Sequence, residues 1–133
     1  MRFILACVLT VAVGGLASVS HVGTAKAASL SGAWSGGGTV RLNSGQVERV
    51  RCRVRYSRSS GRSYGVSATC ATTAGTISQS GRVVKVRGNR YSGRLYNAEY
   101  AVTGRISVSV RGRRQTVTVT SARGSGRLSL SKR

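Results

Sequence analysis

Between positions 49 and 55 every second residue is an arginine. Arg49, Arg51, Arg53 and Arg55 alternate with Val50, Cys52 and Val54, and Tyr56 continues the apolar set. On a β-strand the two sets fall on opposite faces. One face then carries guanidinium groups about 6.5–7 Å apart, close to the spacing of phosphates along a nucleic-acid strand. A row of this kind attracts polyanions at low salt. Outside the cytoplasm the candidates are lipid-A phosphates of lipopolysaccharide, anionic polysaccharide, anionic phospholipid headgroups and free nucleic acid. Tyr91, Tyr96 and Tyr100 are candidates for stacking beside it. The same arginines also suit a plain solvated face that blocks edge pairing and keeps a β-rich chain soluble. The pattern supports the two readings equally.

The remaining chemistry depends on which residues survive export. Met1 and Arg2 form a short positive region, and residues 3–16 are apolar apart from Thr10 and two glycines. Ala25-Lys26-Ala27 then places small residues where a signal peptidase reads. This predicts a secretory signal over residues 1–27, cleaved after Ala27. The apolar run is too short to span a bilayer comfortably, so no transmembrane anchor is expected after cleavage. The expected product is one small domain, residues 28–133, located in the periplasm or secreted. It keeps 20 basic residues against Glu48 and Glu99, a net charge of +18, and has no histidine, aspartate or proline.

That inventory excludes several reaction classes. A Ser-His-Asp or Cys-His arrangement has no histidine to use. A paired-carboxylate mechanism would have to join Glu48 and Glu99, which lie far apart in sequence. Each is expected instead to pair with a nearby arginine: Glu48 with Arg49 or Arg51, and Glu99 with Arg94. Zinc, copper and calcium lack a ligand set. Cys52 and Cys70 are the cysteines left after cleavage, and their separation is not that of a CxxC redox pair. In an exported chain they form one disulfide, worth about 3 kcal/mol in the chain-entropy model. A domain of this size buries only about 60–70% of its unfolded surface, so that bridge is a large share of its stability. The expectation is a non-enzymatic protein with no metal or cofactor.

The elements that position these residues all read as strands. Residues 32–42 form a first strand with Trp34, Val40 and Leu42 on one side, and Gly36-Gly37-Gly38 allows a bend or a close backbone approach. A phosphate cradle would need a following lysine and helix, and neither is present. Residues 28–30 read as a short tail. Folding a hairpin about Gly61 sets Cys52 opposite Cys70, Val54 opposite Ala68 and Tyr56 opposite Val66. Further on, Tyr91 pairs in parity with Leu95. Tyr100, Val102, Gly104, Ile106, Val108 and Val110 share a face, as do Val117 with Val119 and Leu128 with Leu130. No helical periodicity appears. The short connections rule out parallel crossovers. The expected fold is all-β: an antiparallel meander of about eight strands forming a small barrel or a two-layer sandwich.

Alternation alone does not say which face is inside. An outer-membrane barrel would turn its apolar residues outward. Against it stand several strands shorter than the roughly 9–11 residues such barrels use, missing aromatic girdles and a Lys132-Arg133 end.

Two resemblances accompany this reading. The order Gly32-Ala33-Trp34-Ser35-Gly36-Gly37-Gly38, Glu48, Arg51-Cys52-Arg53-Val54, Tyr56, Cys70 and Tyr96-Asn97-Ala98-Glu99 resembles a group of small exported bacterial proteins of unassigned function. Gly32-x-Trp34 on a first strand also resembles the start of lipocalin-like barrels. That likeness implies a tryptophan packed at the closed end beneath a ligand cavity, covered by an arginine, either Arg127 or Arg111. Two functions follow as expectations. One is an envelope-associated or polyanion-binding β-domain acting through Arg49, Arg51, Arg53 and Arg55. The other is a small-ligand carrier whose site lies inside the barrel near Trp34 and the tyrosines.

Overall fold

The computed structural model describes residue 15 and residues 29–133. Apart from Gly15, the signal read over residues 1–27 lies outside the described residues. Eight strands follow in order: β1 Gly32–Leu42, β2 Val47–Ser60, β3 Ser63–Thr72, β4 Gly75–Arg87, β5 Arg90–Asn97, β6 Val102–Arg111, β7 Arg114–Ser121 and β8 Gly124–Lys132. Each pairs antiparallel with the next, and β8 returns to β1. The result is a closed up-and-down barrel and not a sandwich, so no sheet edge is left unpaired.

The turns follow from the sequence. Gly61, Gly88 and Gly112 have φ of 49°, 51° and 62° in two-residue connections at one end of the barrel. Tight hairpins favour positive φ there because it matches the twist of the flanking strands. Closure depends on the glycine run of β1. Gly36 faces Leu130 and Gly38 faces Leu128 across the β1–β8 seam. A Cβ at Gly38 would sit 1.9 Å from the Arg127 carbonyl oxygen. Only a residue without a side chain lets the strands coil so tightly at the seam.

The β2–β3 register is the one expected from alternation: Cys52 opposite Cys70, Val54 opposite Ala68 and Tyr56 opposite Val66. Cys52 and Cys70 are disulfide-bonded, with a Cα separation of 4.1 Å. Val50, Val54, Ile106, Val108, Val117 and Leu128 point into the barrel and are buried, whereas the arginines of β2 point out. Apolar residues inside and charge outside is the reverse of a lipid-facing barrel.

The structure departs from the sequence expectation in two places. Tyr100 does not continue the inward row of β6; it lies in the 98–101 turn, 49% exposed. Buried Asn97 ends β5 there by accepting a hydrogen bond from the Tyr100 backbone N–H at 3.1 Å. A side-chain-bonded turn of this kind overrides simple alternation. Leu30, expected in a tail, is fully buried. On β4, Val83 is fully buried while Val84 and Val86 lie on the outer surface.

Candidate functional site

The two ends of the barrel differ. One carries the turns 61–62, 88–89 and 112–113 together with residues 29–31 and the C-terminal end of β8, and it is plugged. Trp34 is fully buried, and its Nε1 donates to the Leu30 carbonyl at 2.9 Å. This bond satisfies the indole donor and pins Leu30 into the barrel base. The Lys132 ammonium lies 5.6 Å from the Trp34 ring centroid and donates to the Ser29 carbonyl at 3.1 Å. The basic residue on the tryptophan is therefore Lys132. Arg127 and Arg111 are exposed; Arg127 pairs in register with Thr39 and Thr118 on the outer face. Lys132 has the parity of Leu128 and Leu130, a signal that would have identified it.

Above this plug, the Tyr56 hydroxyl donates to Gln115 Oε1 at 2.7 Å, and both residues are buried. Burial pushes the Tyr56 hydroxyl well above the ordinary phenol range. Gln115 Nε2 has no partner among the described residues. Alternation across Gln115 to Ser121 highlights the valines, so this buried polar pair was missed. Tyr64 and Tyr91 pack edge to face, centroids 5.5 Å apart at 86°. Burial first, then the neighbouring Tyr64 hydroxyl, raises the Tyr91 pKa.

The other end is open. Between Tyr56 and the mouth lies a cavity of about 200 Å³. Its walls are apolar: Val50, Val54, Val66, Ala68, Val117 and Leu128 contribute to them. The Cys52–Cys70 bridge forms part of one wall. On β8, Gly124 and Gly126 contribute backbone to the wall, where a Cβ would meet the β1 chain at Arg41 and Val40, so these glycines serve the close approach of β8 to β1. The mouth is polar, with Glu48, Thr72, Gln79, Ser121 and Arg123 on its rim. Asn43 Nδ2 donates to the Ala122 carbonyl and ties two rim loops together. The Arg123 guanidinium lies 5.9 Å from the Tyr100 ring centroid.

Neither glutamate behaves as expected. Glu48 shares the inward parity of Val50 and accepts a hydrogen bond from Gln46 Nε2 at 3.3 Å. Arg49 and Arg51 project from the opposite face of the strand, so neighbours in sequence are not neighbours in space. Glu99 sits exposed in the 98–101 turn, whereas Arg94 lies mid-strand on β5.

Arg49, Arg51, Arg53 and Arg55 are all exposed on the outer face of β2. Their cross-strand neighbours are small. Thr39, Gly37, Ser35 and Ala33 lie on the β1 side, and Ala71, Thr69 and Ser67 on the β3 side. The row therefore stands as a ridge. The proposed stacking partners do not join it. Tyr91 is buried, and Tyr96 and Tyr100 belong to β5 and the rim. Trp34 does not line the cavity; it seals the end beneath it.

Fold and site together define an eight-stranded up-and-down barrel, plugged at one end and hollow toward the other. Similar solved structures are designed barrels. One is a redesigned β-barrel, mFAP1, bound to DFHBI, at TM-score 0.64 and 14% identity, with 78% of this chain and 94% of that chain covered. A second redesigned barrel matches at TM-score 0.62 and 17% identity over 78% of this chain and 90% of that one. A fluorescence-activating barrel designed de novo matches at TM-score 0.61 and 12% identity, covering 77% and 93%. At these identities the likeness is one of fold. The sequence matches no protein-family model and no curated protein.

Proposed function

We propose that this chain is a non-enzymatic, exported barrel that binds a small, largely apolar ligand in its interior. The observation that carries the proposal is the apolar cavity of about 200 Å³, open at one end through a polar rim. Ligand sites are concave and mostly apolar, with few polar groups to set orientation. An apolar cavity of about 150 Å³ is enough to take benzene. The fitting ligand class is thus a single ring or a short chain, apolar end inward, with a polar end at Glu48, Gln79 and Arg123. A designed barrel of the same fold is bound to DFHBI, which supports interior binding as a use of this architecture. The Cys52–Cys70 bridge supports an oxidising compartment.

The experiment uses neutral probes, so that the arginines do not attract them. p-Cresol and hexanol are titrated against the protein while backbone amide shifts are recorded. Saturable shifts centred on Val54, Tyr56, Ala68, Val117 and Leu128 are expected. Shifts confined to the outer face, or none at all, overturn the proposal.

A second reading rests on the β2 ridge. Four exposed arginines flanked by small residues, with no carboxylate across either neighbouring strand, suit an extended polyanion such as lipopolysaccharide, anionic polysaccharide or nucleic acid. Changing Arg49, Arg51, Arg53 and Arg55 together to Ser is expected to weaken retention on heparin or lipopolysaccharide in a salt-sensitive way. Retention equal to wild type would make the ridge solvated surface alone.

A further inference from the structure

A second basic cluster arises only when strands pair. Arg82 on β4 lies opposite Arg94 on β5, and Arg94 lies opposite Arg105 on β6. All three are exposed on the outer wall. Neighbouring strands are about 4.7–4.9 Å apart, so three positive side chains start from a line about 10 Å long. Like charges directly opposite each other on a sheet face are destabilising. Among the described residues, no carboxylate lies in the rows on either side. On the same face the next row toward the mouth is Ser80, Tyr96 and Thr103, and the next row the other way is Val84, Ser92 and Ser107. Gly65 and Thr120 continue the arginine row on either side. A shallow groove runs beside it, lined by Arg94, Thr103, Arg105 and Thr120.

We propose that Arg82, Arg94 and Arg105 form a binding site for a phosphate monoester dianion, with the Thr103 and Thr120 hydroxyls as additional donors. Guanidinium forks match the oxygens of a tetrahedral oxyanion, and charge-assisted bonds of this type are the strong ones. A dianion placed over the row converts two like-charge contacts into shared attraction. The geometry differs from that of the β2 ridge. There the arginines run along one strand, spaced for an extended polymer. Here they run across strands, close enough to converge on one compact group. The site is on the outer wall, so it stands or falls independently of the interior cavity.

The test uses inorganic phosphate at pH 8, with chloride at matched ionic strength as the control, followed by amide and arginine Nε shifts. Phosphate is expected to give saturable shifts at Arg82, Arg94, Arg105 and Thr103, and a larger rise in unfolding temperature than chloride. The combined R82S/R94S/R105S variant is expected to lose those shifts and to stay folded, because the substitutions remove repulsion. The R49S/R51S/R53S/R55S variant is expected to keep them. Equal responses to phosphate and chloride, or phosphate shifts that survive in the R82S/R94S/R105S variant, overturn the proposal. The source of the group is read from vesicles. Binding to phosphatidic acid vesicles that inorganic phosphate competes away assigns a lipid headgroup. Binding of free phosphate without vesicle binding assigns a soluble monoester.

Discussion

Replacing Ala68 with leucine separates a hollow barrel from a filled one. Ala68 lies on β3 opposite Val54, is buried and lines the cavity. Ala68→Leu adds three carbons directed into a space of about 200 Å³. At about 0.8 kcal/mol per buried methylene the gain is at most about 2.4 kcal/mol. Fixing a leucine rotamer takes back about 0.5–1 kcal/mol, leaving a net stabilisation of about 1.5 kcal/mol. In a packed core the same change would destabilise by about 1–3 kcal/mol, so the two cases differ in sign. Urea unfolding followed by Trp34 fluorescence and far-ultraviolet circular dichroism measures the difference. The same variant should bind hexanol roughly 50-fold more weakly, since about three methylenes' worth of space is lost at about 0.8 kcal/mol each and each 1.4 kcal/mol is a factor of ten. Ala71→Leu, on the exposed face of the same strand, controls for changed β-propensity and should alter neither quantity. A destabilised Ala68→Leu protein that still binds hexanol normally refutes the cavity assignment.

Two further outcomes follow from the core. Joint replacement of Cys52 and Cys70 by alanine should lower stability by about 3 kcal/mol, because the bridge closes a short loop in the unfolded chain; an unchanged urea midpoint contradicts this. Alkaline titration tests the buried tyrosines. The folded-state pKa of Tyr56 is raised, so its contribution is complete below the unfolded pKa of about 10 and is lost as pH climbs above it. The loss is at most about 1.4 kcal/mol per pH unit for one group. Tyr56→Phe should cost about 1–3 kcal/mol at pH 7 by leaving Gln115 unpartnered, and should flatten the fall between pH 10 and 11. Tyr91, raised in the same direction, keeps part of the slope in both proteins. Identical slopes in urea midpoint against pH would remove Tyr56 from this account.

How far the sequence could be read depended on range. The Val50–Tyr56 alternation and the Cys52–Cys70 register are set within one hairpin, where period two and one turn decide everything, and both were legible. Barrel and sandwich were not distinguishable, because the choice is made at the β1–β8 seam between Gly36, Gly38, Leu130 and Leu128, far apart in the chain. Proximity in sequence points Glu48 to Arg49 or Arg51, whereas its parity with Val50 places it inside. The Arg82–Arg94–Arg105 row was invisible for a related reason: each arginine is isolated in its own strand, and only the β4–β5–β6 register aligns them. The cavity was the least legible feature. It depends on volume summed across strands, where a small residue such as Ala68 leaves space that no local pattern reports.

That unfilled volume is the strongest argument that the interior has a use. A cavity costs about 24 cal/mol per Å³ relative to a filled site, so about 200 Å³ corresponds to at most about 5 kcal/mol. The open mouth admits water and lowers that figure, but it stays comparable with the bridge's roughly 3 kcal/mol. Small barrels have little stability to spare, typically about 5–15 kcal/mol in all. Two substitutions of the Ala68→Leu kind would recover much of the difference without touching the closure glycines. The plugged end shows that this chain can fill a barrel: Leu30, Trp34, Tyr56 and Leu130 pack there with almost no exposure. Filling one end and leaving the other hollow behind Glu48 and Arg123 is what the proposed interior ligand requires, and the Cys52–Cys70 bridge is part of the wall around that space.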